Sequence, residues 1–302
     1  MPASTIRKRH ELMLDTVLGP LLGELLRQAD LLEIMLNPDG TLWLETLHQG
    51  IFQSDLSLNA DQAANIIKLI ASHHHLIVDE QSPELACELK VFGARFQAWL
   101  PPIVTAPVFN IRKLAQVVFS LDEYLHRNTI TLEQATALKE AILNKKNILI
   151  AGGTGSGKTT FANALLHELQ LSFDRILVLE DLAELQLHAP NHVHLRTSLA
   201  KNMRHLVKGA LRMRPDRIII GEVRDGGAAL ELLKAWNTGH PGGLCTIHAN
   251  SAIAALTRLE DLLLEVVQHV PPRLISDAID IVVFMSRNHQ GQHRVQEILN
   301  VT

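Results

Sequence analysis

The chain has 302 residues, of which 47% are apolar and 20% charged, and its formal net charge is −4 at pH 7. This length is sufficient for about two domains. A slightly acidic chain lacks the basic field of a protein that wraps duplex DNA, so we expect no strong direct DNA binding. No apolar stretch of the sequence reaches the roughly 20 residues that span a bilayer. The two cysteines, Cys87 and Cys245, show no paired spacing, which is typical of a reducing cytosolic compartment.

The N-terminal third predicts a small domain of helices and antiparallel strands. Residues 5–33 have leucines at helical spacing, with a break at Gly19–Pro20. IMLNPDGTLWLE predicts a hairpin, and residues 59–72 predict a helix capped by Asn59. LACELKVFGARFQAWL predicts a second hairpin around Gly93, and PVFNIRK adds one strand. We therefore expect an α+β domain with a mostly antiparallel sheet over residues 1–112.

The basic residues near the N-terminus have two interpretations. Arg7, Lys8 and Arg9 could contact anionic lipid, which would allow peripheral membrane association. They could also mark the solvated start of a helix, and we favour this second interpretation. The stretch around them lacks the uninterrupted apolar region of a signal peptide.

The remainder of the chain predicts an α/β domain over residues 113–302. Two helices are predicted first, at 121–126 and 131–143. Short apolar strands then alternate with helices: strands at 147–152, 175–181, 217–222, 243–249 and 280–286, and helices at about 158–170, 198–213, 226–238 and 251–267. Nearly continuous apolar strands separated by helices indicate a mostly parallel sheet covered on both faces. Ligands of such sheets bind beyond the carboxyl ends of the strands.

The sequence GGTGSGKTT follows the first of these strands and fits the pattern G-x-x-x-x-G-K-[ST] of a P-loop. Glycine lets the backbone approach a phosphate closely, and the following helix directs its positive end at the same anion. The Lys158 ammonium suits the β- and γ-phosphates, and the Thr159 hydroxyl can bind Mg²⁺. The alternative, a chance glycine-rich loop, leaves the preceding strand and following helix unexplained. The predicted ligands are ATP and Mg²⁺, and the predicted binding residues are Gly152, Gly153, Thr154, Gly155, Ser156, Gly157, Lys158, Thr159 and Thr160.

Acidic residues end two further strands at the same predicted edge. Glu222 could polarise the attacking water or hold Mg²⁺ through a water, unless it is simply an exposed strand-end carboxylate. P-loop ATPases usually have an aspartate near Mg²⁺ at the position before this glutamate, but here that position is Gly221. Glu180, Asp181 and Glu184 are therefore candidates to complete the metal environment. Either Glu180 or Glu222 could be the general base, and the structural alternative for Glu180 is an ion pair.

Two histidines flank the strand predicted at 243–249. His248 could contact the γ-phosphate or relay between Glu222 and a neighbour, and His240 is a weaker candidate. A structural role is the alternative for each, and a zinc site is not predicted because no further ligand cluster accompanies them. Phosphoryl transfer also uses arginine, often from another subunit. The candidates, each with a surface salt bridge as its alternative, are Arg112, Arg204, Arg212, Arg214 and Arg224.

In their order, these motifs resemble the secretion ATPase superfamily. The similarity is to the type IV secretion and conjugative-transfer branch, which includes the TrbB-type conjugal transfer ATPases. It lies in GGTGSGKTT, the acidic box LVLEDLAEL, the stretch ALRMRPDRIIIGEVRD and the histidine box TGHPGGLCTIHANSAIAALTRL. A glycine before the strand-end glutamate is normal in this family, and TGHPGG points to the type IV branch.

The resemblance implies a homohexameric ring whose subunits place an N-terminal domain over a RecA-like domain, with nucleotide between the two. ATP turnover would move the N-terminal domains and power substrate export or pilus assembly. The implied location is cytoplasmic, peripheral to the inner membrane, with inner-membrane components of the secretion apparatus as partners. Arg112 in FNIRK matches the family's inter-domain arginine, and Arg95 in GARFQAWLPP is a weaker match.

Two other functions are compatible with the P-loop alone. A small-molecule kinase would need an acceptor pocket and usually a lid, and the sequence shows no arginine-rich lid segment. A scaffold that binds nucleotide without hydrolysing it would not need the intact set of Lys158, Thr159, Glu180 and Glu222. The sequence therefore favours an ATP-hydrolysing motor over both.

Overall fold

The computed structural model describes residues 18–46, 49–113, 118–198, 200–287 and 292–301. The chain divides into two compact units, Met1–Gln116 and Val117–Thr302. The predicted fold class is confirmed, because one sheet is antiparallel and the other is mostly parallel. The predicted helix over the first residues, and Arg7, Lys8 and Arg9, lie outside the described residues. No helix among the described residues is both long enough and apolar enough to cross a membrane.

The N-terminal unit is built on a six-stranded sheet. Its elements are α1 (residues 18–27), β1 (Leu31–Leu36), β2 (Thr41–Thr46), β3 (Gly50–Ser57), α2 (Ala60–His73), β4 (Glu84–Leu89), β5 (Ala94–Trp99) and β6 (Val108–Lys113). The strand order is β3-β2-β1-β6-β5-β4, and each pairing between these strands is antiparallel. The helix predicted to residue 33 ends at residue 27, because Leu31 already pairs in the sheet. Gly19 takes the left-handed φ of +71° immediately before Pro20, where the break was predicted.

One face of this sheet is apolar and packs against both helices. Ile34, Phe96 and Ile111 on the strands are buried together with leucines of α1 and isoleucines of α2. The predicted cap of α2 is present: Asn59 Oδ1 accepts from the Gln62 amide at 2.8 Å, and the Gln62 side chain accepts from the Asn59 amide at 3.0 Å. This reciprocal pair satisfies two backbone donors at the helix start.

The C-terminal unit contains the second sheet. Its elements are α3 (Leu121–His126), α4 (Leu132–Leu143), β7 (Ile148–Gly152), α5 (Lys158–His167), β8 (Ile176–Glu180), β9 (His192–Arg196), α6 (Met203–Ala210) followed by the 3₁₀ turn Leu211–Met213, β10 (Arg217–Ile220), α7 (Gly226–Asn237), β11 (Leu244–His248), α8 (Ala252–Leu264), α9 (Leu274–Ala278), β12 (Ile281–Arg287) and β13 (His293–Asn300). The strand order is β13-β12-β7-β11-β10-β8-β9, and β13 alone among them runs antiparallel to its neighbour.

Apolar side chains cover both faces of this second sheet. Along β7, Leu149 faces a core shared with α6, α7 and α8, whereas Ile150 faces a core shared with α3, α4 and α5. The two-residue alternation of a strand thus serves two separate cores. This arrangement holds the central strands rigidly, and their carboxyl ends carry the candidate site.

The structure corrects the start of one predicted helix in this unit. The helix predicted over 198–213 begins only at Met203, because Asn202 accepts from the His205 amide at 3.2 Å and caps it there. Four elements were not predicted from the sequence, namely β3, β9, α9 and β13. All three of these strands lie at sheet edges.

Candidate functional site

The P-loop connects β7 to α5 in a conformation that needs its glycines. Gly155 and Gly157 have φ of +68° and +89°, a left-handed region that other residues rarely adopt. A Cβ at Gly152 would lie 2.4 Å from Ser156 Oγ and 2.5 Å from the Met285 carbonyl oxygen. A side chain at Gly152 would therefore clash with the loop, and one at Gly155 or Gly157 would strain the backbone.

The loop leaves hydrogen-bonding groups available for an anion. Gly157 caps α5 without a side-chain hydrogen bond, so the first amides of the helix keep their donors. Ser156 Oγ is buried and has no hydrogen-bond partner among the described residues. Glycine backbone, helix N-terminus and hydroxyl together fit a bound phosphate group. The structure thus supports the fit of a nucleotide to this loop.

Lys158 lies at the centre of the site and is 7% exposed. Its ammonium donates to the carbonyl oxygens of Gly152 and Gly153, each at 2.8 Å. The same nitrogen lies 3.3 Å from His248 Nδ1. Because an ammonium group can only donate, His248 Nδ1 accepts, and Nε2 then carries the ring proton.

His248 reaches Glu222 with its other nitrogen. Nε2 lies 2.8 Å from Glu222 Oε1, but this buried oxygen has no aligned hydrogen-bond donor among the described residues. The second oxygen, Oε2, accepts from Arg224 Nε at 2.9 Å and Nη2 at 2.6 Å. Arg224 therefore fixes one side of the carboxylate, and the other side faces His248.

Arg224 itself is held among carboxylates. Burial acts to lower its pKa, but the hydrogen bond to Glu222 and the charges of Glu222, Asp181 and Glu184 act in the opposite direction, so the pKa of Arg224 is raised. Its Nη1 lies 3.6 Å from Asp181 Oδ2. The guanidinium stays charged and orients the strand-end carboxylate.

Glu180 ends β8 and is 1% exposed. Its Oε1 accepts from the amides of Glu184 at 2.9 Å and Leu185 at 2.7 Å, and its Oε2 lies 3.3 Å from His194 Nδ1. The carboxylate therefore holds the loop that follows its own strand. A Cβ at Gly221 would approach Glu180 Cγ to 3.3 Å. The glycine before Glu222 thus leaves room for Glu180.

Asn163 on α5 was not among the residues predicted for the site, and its side chain is 0% exposed. Its Nδ2 donates to the Glu184 carbonyl at 3.0 Å, and its Oδ1 accepts from the Gln186 amide at 2.8 Å. The P-loop helix is therefore fastened to the acidic loop that Glu180 also holds. A single amide within the apolar stretch FANALL was the signal that could have pointed to it.

His240 lies away from the P-loop edge. It precedes β11 rather than following it, and its Nδ1 contacts the Pro215 carbonyl at 2.9 Å, where β10 is about to begin. The glycines beside it have packing roles, because a Cβ would lie 2.4 Å from Arg217 at Gly242 and 2.1 Å from Trp236 at Gly243. The structure does not bring His240 to Lys158.

The candidate arginines of the N-terminal unit share one sheet face. Arg95 on β5 pairs in register with Arg112 on β6, and Arg112 pairs with Glu33 on β1. This face is opposite to the one that packs against α1 and α2. The approach of Arg95 and Arg112 to phosphates stays a prediction. Of the other candidates, Arg204 pairs with Glu231 at 3.2 Å.

Comparison with known sequences identifies relatives of this chain. A sequence model described as type II/IV secretion system protein matches residues 45–294. The chain is 45% identical over 286 residues to the conjugal transfer protein TrbB of Rhizobium radiobacter. This match covers 94% of this chain and 88% of that protein. It is 35% identical to the type IV secretion system protein PtlH of Bordetella pertussis, with 89% of each chain covered.

Solved structures show the same fold. The VirB11 ATPase of the Brucella suis type IV secretion system, determined in complex with sulphate, matches with a TM-score of 0.51 and 25% identity, covering 98% of this chain and 96% of that one. The Legionella pneumophila ATPase DotB matches with a TM-score of 0.66, covering 96% and 80%, although its 18% identity supports the fold alone. The resemblance inferred from the motifs is confirmed by these relatives.

Proposed function

The chain belongs to the type II/IV secretion system protein family, and from that premise we propose that it hydrolyses ATP as a motor for type IV secretion or conjugative transfer. The observation that carries this proposal is the line of contacts from Lys158 through His248 to Glu222. It joins the phosphate-binding loop to a carboxylate that can accept a proton. A protein that only binds nucleotide would not need these contacts between the P-loop and Glu222.

Glu222 is the general base in this proposal. Its Oε2 is immobilised by Arg224, whereas Oε1 is buried without an aligned donor. An oxygen in that state can accept a proton from a water molecule, which is the chemistry that a positioned base contributes. His248 contacts the same oxygen and orients it relative to Lys158.

Glu180 is proposed as a positioning residue. Its Oε1 accepts two backbone amides of the loop after β8, and its Oε2 lies 3.3 Å from His194 Nδ1, so the contacts of this carboxylate hold the loop and strand around it. Thr159, at the start of α5, would hold Mg²⁺ together with the nucleotide, as the P-loop pattern predicts. The bound ion would neutralise the negative charge of the transferred phosphoryl group.

The proposal extends to assembly and location. The motor acts as a homohexamer at the cytoplasmic face of the inner membrane and contacts inner-membrane components of a type IV secretion apparatus. Relatives described as conjugal transfer and type IV secretion proteins support this proposal. Arg112, with Arg95 in support, supplies guanidinium groups to the phosphates.

Phosphate release from ATP and Mg²⁺ tests the catalytic assignment. Lys158→Ala is expected to abolish both tight nucleotide binding and turnover. Glu222→Gln is expected to bind ATP normally but to lower kcat by a factor of about 100 or more, since a positioned base contributes about that much. Glu231→Gln is the matched control, because it removes a carboxylate paired with Arg204 and Lys208 away from the P-loop.

Three outcomes would contradict the proposal. Wild-type turnover by Glu222→Gln would remove Glu222 as the base. A phosphorylated acceptor in place of free phosphate would indicate a kinase. Tight ATP binding by the wild type without any hydrolysis, including in the presence of membranes and secretion components, would indicate a nucleotide-gated scaffold.

A further inference from the structure

Strand β13 brings a histidine to the outer side of the P-loop. The parallel register of β12 and β7 sets Met285 opposite Gly152, and β13 returns antiparallel with His293 opposite Arg287. At the start of this strand, His293 Nδ1 lies 2.9 Å from the Ser156 carbonyl oxygen. The family match ends at residue 294, so His293 is within it and the rest of β13 after Arg294 lies beyond it.

The direction of this hydrogen bond follows from the chemistry of its partners. A carbonyl oxygen only accepts, so His293 Nδ1 carries a proton and donates. The same nitrogen would lie 2.9 Å from a Cβ at Gly157, which shows that the imidazole also packs closely against the next residue. His293 therefore contacts the peptide group between Ser156 and Gly157 from its carbonyl side.

The orientation of that peptide group matters for binding an anion. A P-loop binds phosphate when its N–H groups point inward and its carbonyl groups point outward. Gly157 has φ of +89°, and glycine allows a peptide to rotate more readily than other residues do. A rotated peptide would turn the Ser156 carbonyl dipole toward the phosphates and repel them.

We propose that His293 is a positioning residue that holds the Ser156–Gly157 peptide in the orientation that binds phosphate. The imidazole donates to the outward carbonyl and thereby opposes rotation of the peptide. This role requires a donor at the position of Nδ1 but not a positive charge. The inference rests on the proposed function in one respect, namely that the anion is the phosphate of a nucleotide.

Calorimetric titration of the full chain with ADP, and with inorganic pyrophosphate, tests this role. His293→Asn places an amide donor near the position of Nδ1, and His293→Leu has a similar shape without a donor. The leucine variant is expected to bind both ligands about tenfold more weakly, which corresponds to the loss of one buried hydrogen bond. The asparagine variant is expected to bind them within about threefold of the wild type.

A second histidine provides the matched control. His192 is the first residue of β9, and its Nδ1 also contacts a backbone carbonyl, that of Ala189, at 2.5 Å. His192→Leu is expected to leave the affinity for ADP unchanged. If His293→Leu does not fold, His293→Gln replaces it as the variant without a donor at Nδ1. The glutamine amide lies near the position of Nε2, so this variant is expected to bind ADP as weakly as the leucine variant.

The outcomes distinguish this inference from the proposed function. Failure of the wild type to bind ADP or ATP would contradict the proposed function itself. ADP binding by the wild type together with equal affinity of His293→Leu would overturn the positioning role. Restoration of affinity by His293→Lys but not by His293→Asn would overturn it as well, since charge and not donor position would then be decisive.

Discussion

Glu180 and Glu222 are both strand-end carboxylates, yet their surroundings give them different chemistry. Glu180 accepts two backbone amides and contacts His194, whereas Glu222 has one oxygen held by Arg224 and one without an aligned donor. The sequence shows two similar acids after apolar strands and cannot separate them. Which of them accepts backbone amides, and which contacts side chains instead, depends on loop contacts that form only in the folded chain.

These surroundings predict different effects for the same substitution. Glu180→Gln keeps an oxygen that can accept the amides of Glu184 and Leu185, so its kcat is expected to stay within about tenfold of the wild type. Glu180→Ala removes that acceptor, and we expect easier proteolytic cleavage within the loop after β8 as well as weaker catalysis. Steady-state kinetics and limited proteolysis measure the two effects. A drop in kcat for Glu180→Gln as large as that for Glu222→Gln would return the base role to Glu180.

At the scale of elements, the strand order explains why the predicted residues meet. The order β7-β11-β10-β8 carries Lys158, His248, Glu222 and Glu180 across one sheet edge in that sequence. The chain order is different, since β8 and β10 both precede β11. The motifs could be assigned to one edge from the sequence because each follows a parallel strand. Their neighbours along that edge could not be assigned, because long-range pairing sets them.

The three strands that the sequence failed to predict share a physical cause. The strands β3, β9 and β13 lie at sheet edges, and their burial patterns lack the continuous buried run of β7 or β8. An edge strand has fewer neighbours to pack against, so its sequence carries little apolar signal. His293 escaped prediction for this reason, since it belongs to β13.

The opposite edge of the sheet carries a partly buried ionic cluster at the start of β10. Arg217 is 4% exposed, and its Nε donates to Asp174 at 2.7 Å while Lys145 donates to the other oxygen at 2.8 Å. Burial acts to raise the pKa of Asp174, but the hydrogen bonds from Lys145 and Arg217 and the charges of both lower it overall. The cluster fastens the segment after α5 to β10 and to the end of α4.

Asp174→Asn is expected to lower the free energy of unfolding at pH 7 by about 2 kcal/mol, because Arg217 would keep its carbonyl partners but lose its counter-ion. A lowered native pKa means that the contribution of Asp174 is full above the pKa of the unfolded chain and is lost as pH falls through the native pKa. The difference between wild type and variant should therefore shrink below about pH 4. Urea unfolding at several pH values measures it.

The control for this prediction is Asp122, which pairs with Lys139 on the surface at 2.8 Å. An exposed ion pair contributes little to stability, so Asp122→Asn should leave the urea midpoint nearly unchanged. A pH-independent difference between wild type and Asp174→Asn would show that the charge of Asp174 is not what stabilises the cluster.

At the scale of the whole molecule, the sequence predicted which kinds of sheet and which motifs the chain contains. It predicted less about how these parts are placed in space. A mostly parallel sheet and a separate antiparallel sheet followed from periodicity and turn residues. The likeness to secretion ATPases followed from the order of four motifs, and it is confirmed by relatives that match over most of the chain. The approach of Arg95 and Arg112 to phosphates stays a prediction, because no local pattern encodes how chains assemble.

Assembly therefore provides the last prediction. If the proposed ring binds ATP more tightly than the single chain does, ATP favours the assembled state by mass action. Glu222→Gln, which should bind ATP without turning it over, is expected to sediment with ATP and Mg²⁺ at about six times the 33.5 kDa mass of the chain.

Lys158→Ala should not show this nucleotide dependence at the same protein concentration, because its loop lacks the charge that holds the phosphates. The double variant Arg112→Ala/Glu222→Gln tests separately whether Arg112 is needed for ring assembly or for ATP affinity. A variant that still forms the ring but binds ATP more weakly would support a guanidinium role for Arg112. A Glu222→Gln protein that binds ATP tightly and yet stays monomeric at all concentrations would contradict the ring, because ligand binding would then have no linkage to assembly.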